Sequence, residues 1–217
     1  MEINEVLARK MNGGREYRRF DAANLEARTG GDENACIVEG YATTFNTPYE
    51  IYRCDGYTIR EEIDARSFDG CDMSDTIMQY DHQGRVFARV SNRTLTLTVD
   101  SKGLKIRADL SGTELGRQLY QEIRDGYTTK MSFGFIVERD ERIVTNDHTT
   151  GETDVLRRIT SFRKLYDVSA VSLPANDTTE ISARGYCDGV IAELTEESRK
   201  KRALEILNLR IKMMEVK

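Results

Sequence analysis

Proton-transfer chemistry near neutral pH has few candidates in this sequence, because it holds only two histidines and imidazole is the side chain whose ordinary pKa lies in that range. His82 stands in Met78-Gln-Tyr-Asp-His-Gln-Gly84, where apolar neighbours can hold it still, whereas His148 stands in the polar run Asn146-Asp-His-Thr-Thr-Gly151, which reads as a solvated loop. A hydroxyl nucleophile needs a base beside it and fixed N–H donors for the charge that develops on the substrate oxygen. Ser132 is set between bulky Met131 and Phe133, which should fix its backbone, and Gly134 could leave room for that oxygen. Asp167, in Leu165-Tyr-Asp-Val-Ser-Ala-Val171, could orient a histidine and stabilise imidazolium. Ser169 and Ser172 are competing hydroxyls without the glycine-adjacent setting of Ser132. Each residue taken alone has a plainer reading: a structural histidine, a small side chain on a strand face, a hydrogen-bonded or surface acid.

The elements that must position these groups can be read from periodicity. Met131, Phe133, Phe135 and Val137 share one parity of a strand, with Ser132 and Gly134 on the other. Leu95, Leu97 and Val99 alternate with threonines and, after Asp100-Ser-Lys-Gly103, are answered by Leu104, Ile106, Ala108 and Leu110, which predicts a β-hairpin. Ser111 followed by Glu114 predicts a capping box opening a helix with Leu115, Leu119 and Ile123 on one face, stopped at Gly126. The charged run from Glu138 to Asp154 reads as a long turn or flexible hairpin, open to a role as a lid. Leu156–Phe162 and Leu165–Leu173 read as two further strands, the second ended by Pro174.

Composition narrows the classes. A chain of 217 residues with 39% apolar content can bury one sizeable core. The net charge of −5, with 37 acidic and 32 basic residues interspersed, offers no field for a polyanion, so direct nucleic-acid binding is not expected. No run approaches the length needed to span a bilayer, and a soluble protein without membrane contact is expected. Cys36, Cys54, Cys71 and Cys187 show no CxxC spacing and the start of the chain lacks a secretion-signal pattern, so they read as free thiols in a reducing compartment.

His82 followed by Gly84, the Lys102-Gly-Leu104 hairpin, the Met131-Ser-Phe-Gly-Phe135 run and Leu165-Tyr-Asp-Val-Ser-Ala-Val-Ser-Leu-Pro-Ala-Asn176 occur in an order that resembles the prohead proteases of HK97-like tailed phages. The resemblance covers residues 37 to 182 or so. It implies a mainly β fold with flanking helices, a compact β-barrel distantly similar to herpesvirus maturation proteases, and a serine endopeptidase with Ser132 as nucleophile and His82 as base. Asp167 takes the third position, where many family members have glutamate; its shorter reach requires either a closer strand or a looser contact. No cofactor and no metal are implied. The implied substrates are scaffold and the N-terminal scaffold-like segment of the major capsid protein, with self-cleavage, in the host cytoplasm inside the immature capsid. The portal and a second copy of the chain stand as further candidate partners.

The division expected is a flexible segment over 1–35, a protease β-barrel over 36–187 and an amphipathic helix over 188–217. In that helix Leu204, Leu207, Ile211 and Met214 form one apolar stripe, suited either to packing on its own domain or to self-association or scaffold binding. Two other functions compete. A metallohydrolase has poor material, with two distant histidines and no HExxH. A catalytically inactive capsid assembly or scaffolding protein could keep the same fold.

Overall fold

The structure, a computed structural model, describes residues 14–20, 25–28, 35–54, 56–147, 149–171 and 177–215. Along them run β1 (Arg15–Phe20), β2 (Glu26–Ala27), β3 (Ile37–Thr44), β4 (Tyr49–Cys54), β5 (Tyr57–Ile63), β6 (Ile77–Tyr80), β7 (Gln83–Arg89), β8 (Leu95–Val99), β9 (Gly103–Asp109), α1 (Glu114–Arg124), β10 (Lys130–Asn146), β11 (Thr153–Val171) and α2 (Asp177–Glu215).

These strands make two sheets over a shared core. The larger runs β1-β10-β11-β5-β4, with the β6–β7 hairpin also joined to β11; the smaller runs β2-β3-β9-β8. β10 and β11 are the frame. They form one long antiparallel hairpin, and the edge of β11 away from β10 carries two parallel partners end to end: β5 along Thr153–Ile159 and β6 along Asp167–Ala170. Met131, Phe133 and Phe135 from β10 meet Leu104 and Ile106 of β9 and Leu119 and Ile123 of α1 in the core between the sheets.

The compact β-barrel is overturned. Closure requires the outermost strands of a sheet to pair with one another, and the larger sheet instead ends at β1 and β4 and the smaller at β2 and β8. The cause lies partly in the charged sequence Glu138-Arg-Asp-Glu-Arg142: the outer half of β10 is largely exposed, so it has no continuous apolar face on which to curl inward. The mainly β composition with flanking helices stands.

Local expectations fare differently. The β8–β9 hairpin forms with Leu97 opposite Ile106. Helix α1 is capped by Thr113 rather than Ser111: the Thr113 Oγ1 accepts the Gly116 N–H at 2.9 Å. Gly116 is pressed so closely on the entering chain that a Cβ there would stand 2.3 Å from the Leu110 carbonyl oxygen. Leu119 and Ile123 are buried as expected, but Leu115 is exposed. The stretch from Glu138 is ordered strand up to Asn146, and the two strands expected after it are one, β11. Within the first 35 residues, Arg15–Phe20 is a strand. His148, Ser172 and Pro174 lie outside the described residues.

Helix α2 begins at Asp177, earlier than the 188 expected. Its Tyr186, Cys187 and Val190 pack on Ile59 and Val155 of the larger sheet. Further along, Leu204, Leu207 and Ile211, together with Ile206, Leu209 and Met213, are exposed. The side chain of Met214 is outside the described residues.

Candidate active site

Ser132 sits in β10 with Ser169 of β11 opposite it on one side and Arg19 of β1 on the other. The parity read from the sequence is correct, yet both faces of this strand are covered: Ser132 is 1% exposed, and Met131, Phe133 and Phe135 are fully buried.

His82 reaches Ser132 because of a turn. β6 and β7 are joined through Asp81 and His82, with Tyr80 paired to Gln83, and both central residues have positive φ, 49° and 57°. Two positive φ values are what a type I′ two-residue hairpin loop requires, a turn whose twist matches that of the strands and whose usual pair is Asn-Gly or Asp-Gly. A histidine held in this sparsely populated region is a local strain of the kind that functional sites retain. The Asp81 N–H donates to the Ala170 carbonyl at 2.9 Å, which ties the turn to β11.

Asp167 lies opposite Gly134 in the β10–β11 ladder. A Cβ on Gly134 would stand 2.4 Å from Asp167 Oδ2 and 2.7 Å from the Tyr17 ring. The space that glycine leaves is therefore filled by the acid and by an aromatic side chain from β1, rather than kept for a substrate oxygen. The carboxylate is 2% exposed and is held from a second direction by Ser169, whose hydroxyl donates to Oδ1 at 2.8 Å.

The three side chains are joined in series. His82 Nδ1 lies 2.5 Å from Asp167 Oδ1, and His82 Nε2 lies 2.5 Å from Ser132 Oγ. An ionised carboxylate only accepts, so Nδ1 carries a proton and donates it to Asp167. In neutral imidazole that leaves a bare Nε2 facing the serine hydroxyl, the tautomer able to receive its proton.

A model of the caudovirus prohead serine protease family matches residues 22–189 of this chain. The chain belongs to that family. No curated protein and no solved structure matches it. Asp167, one methylene shorter than a glutamate, reaches the imidazole at 2.5 Å; β6 lies directly against β11 at Asp167, opposite Ile77, and so brings the turn to the acid.

The interior thiols of this family member are poor nucleophiles. Burial pushes the Cys71 thiol up to about 11 and the Cys187 thiol up to about 12, so both stay protonated at neutral pH. None of the four cysteines is in a disulfide. Among the described residues no group of three or more His, Cys, Asp or Glu is arranged to hold a metal. An open cleft of about 500 Å3, lined by Arg85, Val86, Phe87, Thr113, Glu114 and Leu115, lies along the strand that leads away from His82.

Sequence reading missed the part played by β1. Its Tyr17 ring packs edge-on against the His82 imidazole at 4.6 Å between centroids. Its Arg18 carbonyl oxygen accepts a hydrogen bond from Ser132 Oγ at 2.9 Å. The Arg18 guanidinium, 2% exposed, forks onto Glu61, which Arg157 and the Tyr49 hydroxyl also engage, while Glu16 bridges Arg18 and Arg157. The only signal in the sequence was the alternation of charge in Arg15-Glu-Tyr-Arg18, which by itself describes a solvated segment equally well.

Proposed function

We propose that this chain is a serine endopeptidase of prohead maturation in which Ser132 is the nucleophile, His82 the general base and acid, and Asp167 the group that orients and stabilises the imidazole. The observation that carries this reading is the unbroken contact from Ser132 Oγ through His82 to Asp167 Oδ1. As Ser132 Oγ attacks a peptide carbonyl carbon, its proton passes to His82 Nε2. The imidazolium so formed is stabilised by ionised Asp167, and its Nε2–H then protonates the departing amine. Water enters, loses its proton to His82 and releases the acyl group, restoring Ser132.

The substrates proposed are scaffold and the N-terminal scaffold-like segment of the major capsid protein, with the chain itself, cut inside the immature capsid in the host cytoplasm. Capsid or scaffold protein mixed with the purified protein is expected to yield discrete fragments, and S132A and H82A are each expected to abolish them while folding is retained. A second reading, an inactive assembly protein, draws on the exposed apolar residues Leu204 to Met213 of α2. Intact substrate with wild type and both variants under assembly conditions would favour it.

A further inference from the structure

A nucleophile that is 1% exposed cannot meet a polypeptide, and the element that covers Ser132 is identifiable. β1 is the outermost strand of the larger sheet and occupies the whole free edge of β10 from Met131 to Ile136, antiparallel to it. An edge of unpaired N–H and C=O groups is the surface on which proteins take up an extended chain as an added strand.

We infer that this edge of β10 is the docking edge for the substrate polypeptide and that β1 is its resident occupant, which an incoming extended chain must displace. The inference rests on the assignment of Ser132 and His82 above.

Three observations support it. The first is a proton count. A hydroxyl has one proton, and Ser132 Oγ stands 2.9 Å from the Arg18 carbonyl oxygen and 2.5 Å from His82 Nε2. While Ser132 donates to Arg18, His82 does not receive that proton, so β1 and the base compete for it. The same contact presents the oxygen of the Arg18 peptide to Ser132 Oγ, which is a resting pose of the occupying chain.

The second is charge. β1 brings Arg18 and Glu16 into the buried network as one positive and one negative group. Its departure removes a neutral pair and leaves Glu61 bonded to Arg157 at 2.9 Å and to the Tyr49 hydroxyl at 2.5 Å, with Asp140 also on Arg157. No buried ion is abandoned, so the cost that normally fixes a buried salt bridge in place is small here. The third is extent: the family match begins at residue 22, beyond β1, while Ser132, His82 and Asp167 all lie within it.

The test measures how fast a fluorophosphonate probe labels Ser132 in the full chain, alongside cleavage of capsid protein. Wild type is expected to label slowly. R18A, which loses the fork onto Glu61, and the isosteric E16Q, which keeps the packing if R18A does not fold, are expected to label about tenfold faster or more, in proportion to the uncovered fraction. A synthetic peptide of residues 14–21 is expected to slow labelling of the faster variant again. A folded E16Q or R18A that labels and cleaves at the wild-type rate, with no effect of the peptide, would overturn the occupancy and leave the catalytic assignment standing. Absence of labelling at Ser132 in every folded variant would instead remove the catalytic assignment.

Discussion

Gly134 and Asp167 face each other across the β10–β11 ladder so closely that a single added carbon on Gly134 would stand 2.4 Å from Asp167 Oδ2. Glycine here makes room for the carboxylate that holds His82. G134A is therefore expected to push Asp167 or the Tyr17 ring aside. A displacement of about 1 Å in such a group lowers activity on the order of a hundredfold, and forced overpacking destabilises by about 1–3 kcal/mol. Capsid-protein cleavage rates and thermal unfolding of the same sample check both; unchanged kcat/KM would contradict the role given to the glycine.

The acid itself admits little change. D167N keeps the shape and presents an amide where the imidazole N–H needs an acceptor, and kcat is expected to fall on the order of 10⁴-fold. D167E carries one more methylene into a space already closed by Gly134, Tyr17 and Ser169. It is expected to lower kcat as well, by about tenfold to a hundredfold, although glutamate is an equally good acceptor. A D167E enzyme as fast as wild type would show that the site has slack.

Acid should loosen β1. Burial of the Glu16 carboxyl would raise its pKa, but the guanidiniums of Arg18 and Arg157 outweigh burial and hold it down at about 2. A carboxyl with a depressed folded pKa contributes stability that is fully present above its unfolded value, near 4.5, and is lost as pH falls toward the folded one. Melting temperature is thus expected to drop between pH 4.5 and 2, and E16Q, which cannot titrate there, should show a smaller drop. Parallel curves for the two proteins would refute the linkage.

Arg157 holds the other half of the same network. It is fully buried between Glu16, Glu61 and Asp140, with its guanidinium over the Tyr186 ring at 4.1 Å. R157A leaves Arg18 as the guanidinium serving both Glu16 and Glu61 and takes Asp140's ion pair away, an unbalanced buried charge expected to cost about 3–5 kcal/mol in denaturant unfolding. R157M, which fills the volume without the charge, should fail similarly because the three carboxylates Glu16, Glu61 and Asp140 then face the single cation of Arg18.

The far half of α2 should be indifferent to the core. Leu207 is 53% exposed, so L207E is expected to change unfolding free energy by no more than about 0.5 kcal/mol. A larger loss would mean that this stripe packs on the protein's own body.

The sequence by itself determined what depends on neighbours along the chain. Strand parity placed Ser132 and Gly134 on one face of β10, alternation drew the β8–β9 hairpin, and the order of motifs identified the family and marked Ser132, His82 and Asp167 as the candidates for its site. Even locally, competition between similar groups moved the α1 cap from Ser111 to Thr113, since the chain's close passage over Gly116 selects the hydroxyl that lies beside its N–H. Only the tertiary structure decided that the sheets stay open, that Gly134 accommodates a carboxylate, and that Arg18 covers a serine 114 positions away. These depend on sheet register and on which strand takes a free edge. Both are set by the summed packing of distant side chains, so no short stretch of residues carries their signature.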